Sequence, residues 1–289
     1  MSMTEQQGIA AIQAVAQNHG QAAEELPNLI ALLEHLFPKS RLVHFLFTWE
    51  NLAFSAAVLA LIIFTALRAA RKKSFIPKGL QNVWELVVEV LEGFVTGILG
   101  PRGAEHVPYL GTLFVYILLA NWLGMIPLMK SPTSAWSTTI ALALMTTVYI
   151  QWVGIKEHGF FNYVKHLAGN PIGILGLALV PLMLIINLSI EFLAVPLSLS
   201  LRLFANISSE DKLLYKFAEL NVLYKGLPFF FQLFANVLVI IFSFVQAFVF
   251  LLLSTVYISL ILPHDHKESH DAARENSLGP IHEPSTKEH

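Results

Sequence analysis

Cysteine is missing from all 289 residues, so the chain has no disulfide, no thiolate metal ligand and no thiol nucleophile. Charge is nearly as scarce. Asp, Glu, Lys and Arg make up 13% of the residues against 55% hydrophobic ones, and mean hydropathy is +0.61. A soluble domain of this length needs more charge for its surface, and several apolar runs reach the ~18–20 residues that cross a bilayer. The formal net charge of -2 leaves no basic face for nucleic acid. No G-x-x-x-x-G-K-[ST] loop, strand–glycine–helix unit, H-E-x-x-H, G-x-S-x-G or catalytic triad is present. Nothing in the chain calls for a cofactor, and it does not bind nucleotide itself. Residues 1–26 lack a basic stretch ahead of an apolar core, so they do not read as a signal peptide.

What is there divides into three parts. Residues 1–48 are a polar extension ending in a short amphipathic piece, "LPNLIALLEHLFP". Residues 49–262 form a membrane domain, and 263–289 a polar, disordered tail. The tail's His264, His266 and His270 have no fold to preorganise them, so no metal site is expected.

The first span starts at Trp49 and ends in the cluster Arg68, Arg71, Lys72 and Lys73. The positive-inside rule makes that end cytoplasmic and the N-terminus external. Glu85, Glu89 and Glu92 share one face of residues 80–100, which suits a helix lying in the interface. Further spans cover 107–129 and about 135–155. The runs 171–207 and 227–262 would each measure over ~50 Å as helices, against a hydrocarbon core of about 30 Å. Each is either a pair of short spans or one strongly tilted helix, the two then facing each other. With five spans the C-terminus is cytoplasmic. Lys212, Lys216 and Lys225 then fall outside, partly offset by Glu210, Asp211 and Glu219.

Both long runs carry polar residues at helical spacing. At 100° per residue, Asn187, Glu191, Ser198, Arg202, Asn206 and Ser209 fall within an arc of about 100°. Pro196 should shift that phase somewhat, with the clustering surviving it. In the second run Gln232, Asn236, Ser243, Gln246, Ser254 and Tyr257 fall within about 80°, and Thr255 points away. Asn, Gln and Ser can serve merely as interhelical glue. An arginine amid some thirty apolar-rich residues is harder to explain structurally, because its insertion costs about 2.5–3.5 kcal/mol. Glu191 lies some 16 Å from it along one helix, so the two are not a direct pair. Two aligned polar faces point to a buried ion or proton path. A secondary transporter or channel with a functional arginine is the alternative reading, although no inverted repeat is visible.

The string "PLSLSLRLFANISSEDKLL" resembles the signature of subunit a of the rotary F-type ATP synthase. "FVQAFVFLLLSTVYISL" resembles that family's C-terminal signature, and "NWLGMIPLM" its N-x-x-G-x-x-P element. The resemblance implies an all-α, multi-pass protein of the bacterial inner membrane: about five membrane helices and an interfacial helix, the last two long, tilted and paired as a hairpin. It further implies a non-catalytic, proton-conducting stator subunit, in which two aqueous half-channels and an essential arginine drive rotation of a ring. Its partners would be the c-ring proteolipids, b-type peripheral stalk subunits, other synthase subunits and lipid. By position Arg202 matches the essential arginine, Asn206 the asparagine after it and Gln246 the last helix's glutamine. Glu191, Glu210 and Asp211 match acids of the proton path, the first on the cytoplasmic side and the others on the external side. Asn187, Ser198, Ser209, Gln232, Asn236, Ser243 and Tyr257 would line it. Members often carry Ala-Gly where this chain has "SS" before "ED", and some carry histidine where it has Val239.

Overall fold

The computed structural model describes residues 29–36, 41–71, 79–126, 128–168, 173–223 and 229–262, and every regular element among them is helical. Two short helices, α1 (Leu29–Leu36) and α2 (Arg41–Thr48), precede α3 (Glu50–Arg71). After α4 (Leu80–Leu99), a 3₁₀ turn (Pro101–His106) runs straight into α5 (Val107–Leu123). Then come a 3₁₀ turn (Pro132–Ser134), α6 (Trp136–His158) and the short α7 (Phe160–Leu167). Helix α8 (Gly173–Ser189) passes through a π-helical turn (Ile190–Ala194) into α9 (Val195–Leu223), and α10 (Phe229–Ile261) ends the described chain. The polar tail and residues 1–28 lie outside the described residues.

Five of these helical segments are long and apolar enough to cross a membrane: Glu50–Arg71, Pro101–Leu123, Trp136–His158, Val180–Phe217 and Leu233–Ile261. The second begins and ends about six residues earlier than its hydropathy suggests, because Pro101 supplies a helix start that needs no N–H. The two long runs are each one helix, not a pair of short spans. The 38 residues of Val180–Phe217 measure about 57 Å and the 33 of α10 about 50 Å. Either exceeds a ~30 Å core, so each must tilt or project beyond it.

One apolar cluster joins α4, α5, α6, α9 and α10. Val95, Leu110, Ile117, Leu203 and Leu251 are fully buried in it, and Phe94 of α4 stacks obliquely on Phe248 of α10 at 4.9 Å. Helix α4 is not among the five spans. It buries Leu91 and Val95 and leaves Glu85, Glu89 and Glu92 exposed, as an amphipathic sequence should. Helix α3 is attached at the edge, through Val58 and Ile62 against Ala120. Its start is fixed by a half-buried ion pair, Lys130 to Glu50 at 2.8 Å, and α1 is tied to the same loop by the Leu29 N–H donating to Leu128 O at 2.6 Å.

The core helix α5 should tolerate truncation poorly. Leu110→Ala, at a fully buried position, is expected to cost about 2–5 kcal/mol and to lower the aggregation temperature of the detergent-solubilised protein. Val148→Ala on α6, which is 66% exposed, should leave that temperature unchanged.

Candidate functional site

The π turn decides which way the polar residues face. Pro196 has no N–H to give Phe192 O in the i–4 pattern, and the Val195 N–H reaches back to Ile190 O, five residues away. The turn thus holds one extra residue, and everything before it is rotated by about 100° relative to an uninterrupted α-helix. The single stripe expected from Asn187 to Ser209 is therefore split in two.

After the turn, α9 buries Val195, Leu199, Leu203 and Ile207 and exposes Ser198, Arg202, Asn206 and Ser209. Arg202 points outward, beside the exposed Leu201, and makes no ion pair among the described residues. Val180–Phe217 is also the least covered span, with 17% of its apolar stretch buried by the rest of the chain. A permanent cation thus stands on a face of a largely apolar helix that the described residues leave open.

One turn further on, α9 meets α10 through polar side chains. Asn206 Nδ2 donates to Gln246 Oε1 at 2.5 Å, and Ser243 Oγ donates to Glu210 Oε2 at 3.1 Å. Residues 206 and 210 ascend one helix while 246 and 243 descend the other, so the two run antiparallel. Gln246 is 3% exposed and Ser243 fully buried. Asp211 is half-buried beside Glu210. Ser208 Oγ reaches Ser134 O at 3.4 Å, which brings the α5–α6 loop to the same end of the hairpin.

At the start of the π turn, Glu191 faces α6 and α7 instead. Its Oε2 accepts from Gln151 Nε2 at 3.0 Å and lies 2.9 Å from the Tyr163 hydroxyl, which also contacts Gln151 Oε1. One helical turn earlier, Asn187 Nδ2 donates to Leu167 O, the last residue of α7, at 2.7 Å. Burial, reinforced by the Glu191 carboxylate, pushes the Tyr163 phenol above its ordinary pKa, so it remains an O–H donor.

The remaining expected lining residues are less engaged. Asn236 and Tyr257 are half-buried, and the Gln232 side chain lies outside the described residues. The Ser209 hydroxyl closes on Ala205 O, as those of Ser254 and Thr255 close on Phe250 O and Leu251 O, each four residues back. Val239, where some family members carry histidine, packs in an apolar cluster with Leu214 and Ala235. Gln151 and Tyr163 were not singled out in the sequence. Gln151 is a lone amide in an apolar span, and Tyr163 sits in a polar connector, so neither forms a stripe. Among the described residues no three metal-binding side chains gather.

A family model described as "ATP synthase A chain" matches residues 52–259. A protein of Protochlamydia amoebophila named ATP synthase subunit a is 42% identical over 251 residues, covering 84% of this chain and 90% of its own length. ATP synthase subunit a 2 of Syntrophotalea carbinolica is 36% identical, covering 75% of this chain and 88% of its own. ATP synthase subunit a of Solidesulfovibrio magneticus is 37% identical, with 75% and 86% covered.

The antiparallel register can be checked directly, because a chain without cysteine is a clean background for cysteine pairs. Asn206→Cys combined with Gln246→Cys should cross-link with a short thiol reagent in membranes. Asn206→Cys with Ser254→Cys, two turns along α10, should not.

Proposed function

The chain belongs to the ATP synthase A chain family, and from that premise we propose that Arg202 separates two proton half-channels in the membrane stator of the synthase. The observation that carries this reading is the outward guanidinium, without an ion pair or a covering helix among the described residues. Desolvated beside a membrane, such a charge needs an anion from another chain. A ring of proteolipid c subunits, each with one carboxylate at membrane depth, supplies it.

The chemistry follows from the side chain. The guanidinium favours the ionised state of a carboxyl group brought next to it, so an arriving ring site gives up its proton. Arginine does not itself deprotonate in proteins, so no proton passes through it between the half-channels. Lysine can lose its proton when desolvated and would leak. Each proton that crosses yields about 2.3 kcal/mol per 100 mV, which becomes rotation.

The two polar groups supply the half-channels. Asn206, Gln246, Glu210, Ser243 and Asp211 form the external entry side; Glu191, with Asn187 near it, takes protons toward the cytoplasm. Ser198 and Ser209 flank Arg202, with Asn236, Gln232 and Tyr257 as outer lining. In this reading residues 49–262 are the membrane domain, the N-terminus is external and the C-terminus cytoplasmic. Nucleotide chemistry takes place on other synthase subunits, and b-type stalk subunits hold the stator against the ring.

The test is ATP-driven proton pumping in membrane vesicles carrying the assembled complex. Arg202→Ala should abolish pumping, and Arg202→Lys should not restore it. Normal pumping in Arg202→Ala refutes the proposal. Glu191→Gln should slow proton flux while c and b subunits still co-purify.

A further inference from the structure

We propose that Tyr163 is a positioning residue for Glu191, holding one carboxylate oxygen so that proton exchange takes place on the other. The inference rests on the cytoplasmic-side role given to Glu191 above and goes beyond it by naming what sets that carboxylate's orientation.

Helix α7 is built to deliver this one side chain. Gly159, at φ 73°, turns the chain off the end of α6 in a single residue, in a backbone region that side-chain-bearing residues rarely adopt. Along α7, Phe160 and Phe161 are 61% and 86% exposed, whereas Tyr163 is 5% exposed. The far end of the helix is held by Asn187 on Leu167 O, one turn before Glu191. A Cβ on Gly154 would stand 2.6 Å from Cε2 of the Tyr163 ring and 2.9 Å from Ile261 Cγ2, so only glycine lets the ring pass inward. Two glycines and an anchored helix end thus serve one buried hydroxyl.

That hydroxyl has one proton and two acceptors, Glu191 Oε2 and Gln151 Oε1. When Glu191 is ionised the carboxylate is the stronger acceptor, and the O–H points to it alongside the Gln151 amide. When Glu191 takes up a proton its pull weakens, and the O–H turns to Gln151 Oε1. Tyr163 keeps its own proton throughout. Glu191 Oε1 has no hydrogen-bond partner among the described residues, so the incoming proton lands there while Oε2 stays fixed. Among the described side chains of the packed elements, Lys156 pairs with Glu105 at 3.4 Å, Glu157 with Arg102 at 3.8 Å, Lys165 is exposed, and His158 is half-buried at the last position of α6. None of them forms an ion pair with Glu191.

Tyr163→Phe keeps the ring and removes the hydroxyl. In vesicles carrying the assembled complex it should lower proton flux by about two- to tenfold, the weight of one hydrogen bond, and shift the pH profile of flux. Gly154→Ala should reproduce that loss by displacing the ring. In the Glu191→Gln background Tyr163→Phe should cause no further loss, because the phenol acts through the carboxylate. Unaltered flux and pH profile in Tyr163→Phe, with Glu191→Gln impaired, overturns this inference alone. A loss from Tyr163→Phe that persists undiminished in Glu191→Gln also overturns it. If Glu191→Gln itself pumps normally, the assignment of Glu191 fails and this inference fails with it.

Discussion

Pro196 brings no N–H to a helix that must run unbroken for longer than a bilayer is thick. A proline inside a helix removes one hydrogen bond and crowds the carbonyl four residues back, at about 3 kcal/mol. The chain meets this constraint with a π turn whose Val195 N–H reaches Ile190 O. The helix stays continuous, and its two halves present different faces. Glu191 and Asn187 turn toward α6 and α7, and Arg202 and Asn206 turn outward and toward α10. Nearly every polar contact of the site follows from that rotation.

The separation also settles an electrostatic question. A carboxylate beside Arg202 within the same chain would neutralise it and leave it little attraction for anything outside. At i and i+11 the two groups are some 16 Å apart along the axis. The π turn adds an angular difference, and the donors of Gln151 and Tyr163 satisfy Glu191 locally. Glu210, the nearest acid on the other side, is bonded by Ser243. Glu191 and Glu210 therefore each have neutral partners, and no carboxylate among the described residues pairs with the arginine.

Much of this was legible in the sequence, and the exceptions have definite causes. Hydropathy alone located the membrane spans, and the acid row on α4 marked it as amphipathic, because both signals are local. The facing of Asn206 and Gln246 followed from helical period on each strand of the hairpin. The period failed at Glu191 because an α-helical phase cannot be carried across a π turn, and Pro196 gave only a hint of one. Gln151 and Tyr163 were invisible for another reason. Each is single on its own helix, and what makes them a site is the packing of α6 and α7 against the end of α8 and the π turn, which no one-helix pattern encodes. The boundary at Leu123 was missed because the apolar loop after it reads like an apolar helix, and that at Pro101 because the polar "PRGAEH" reads like a connector.

Where each hydroxyl spends its hydrogen bond separates pathway from packing. Ser209, Ser254 and Thr255 turn back to the carbonyl four residues earlier, which places their donors inside their own helix. Ser243 and Tyr163 instead reach across to a carboxylate on another helix. In hydrocarbon, an intrahelical bond is always at hand, so a hydroxyl that forgoes it for a carboxylate does so because packing has brought the acid close enough to be the better acceptor. By that criterion Ser243 to Gln246 is the part of α10 that bonds across to α9, whereas Ser254 and Thr255 bond within the helix they sit on.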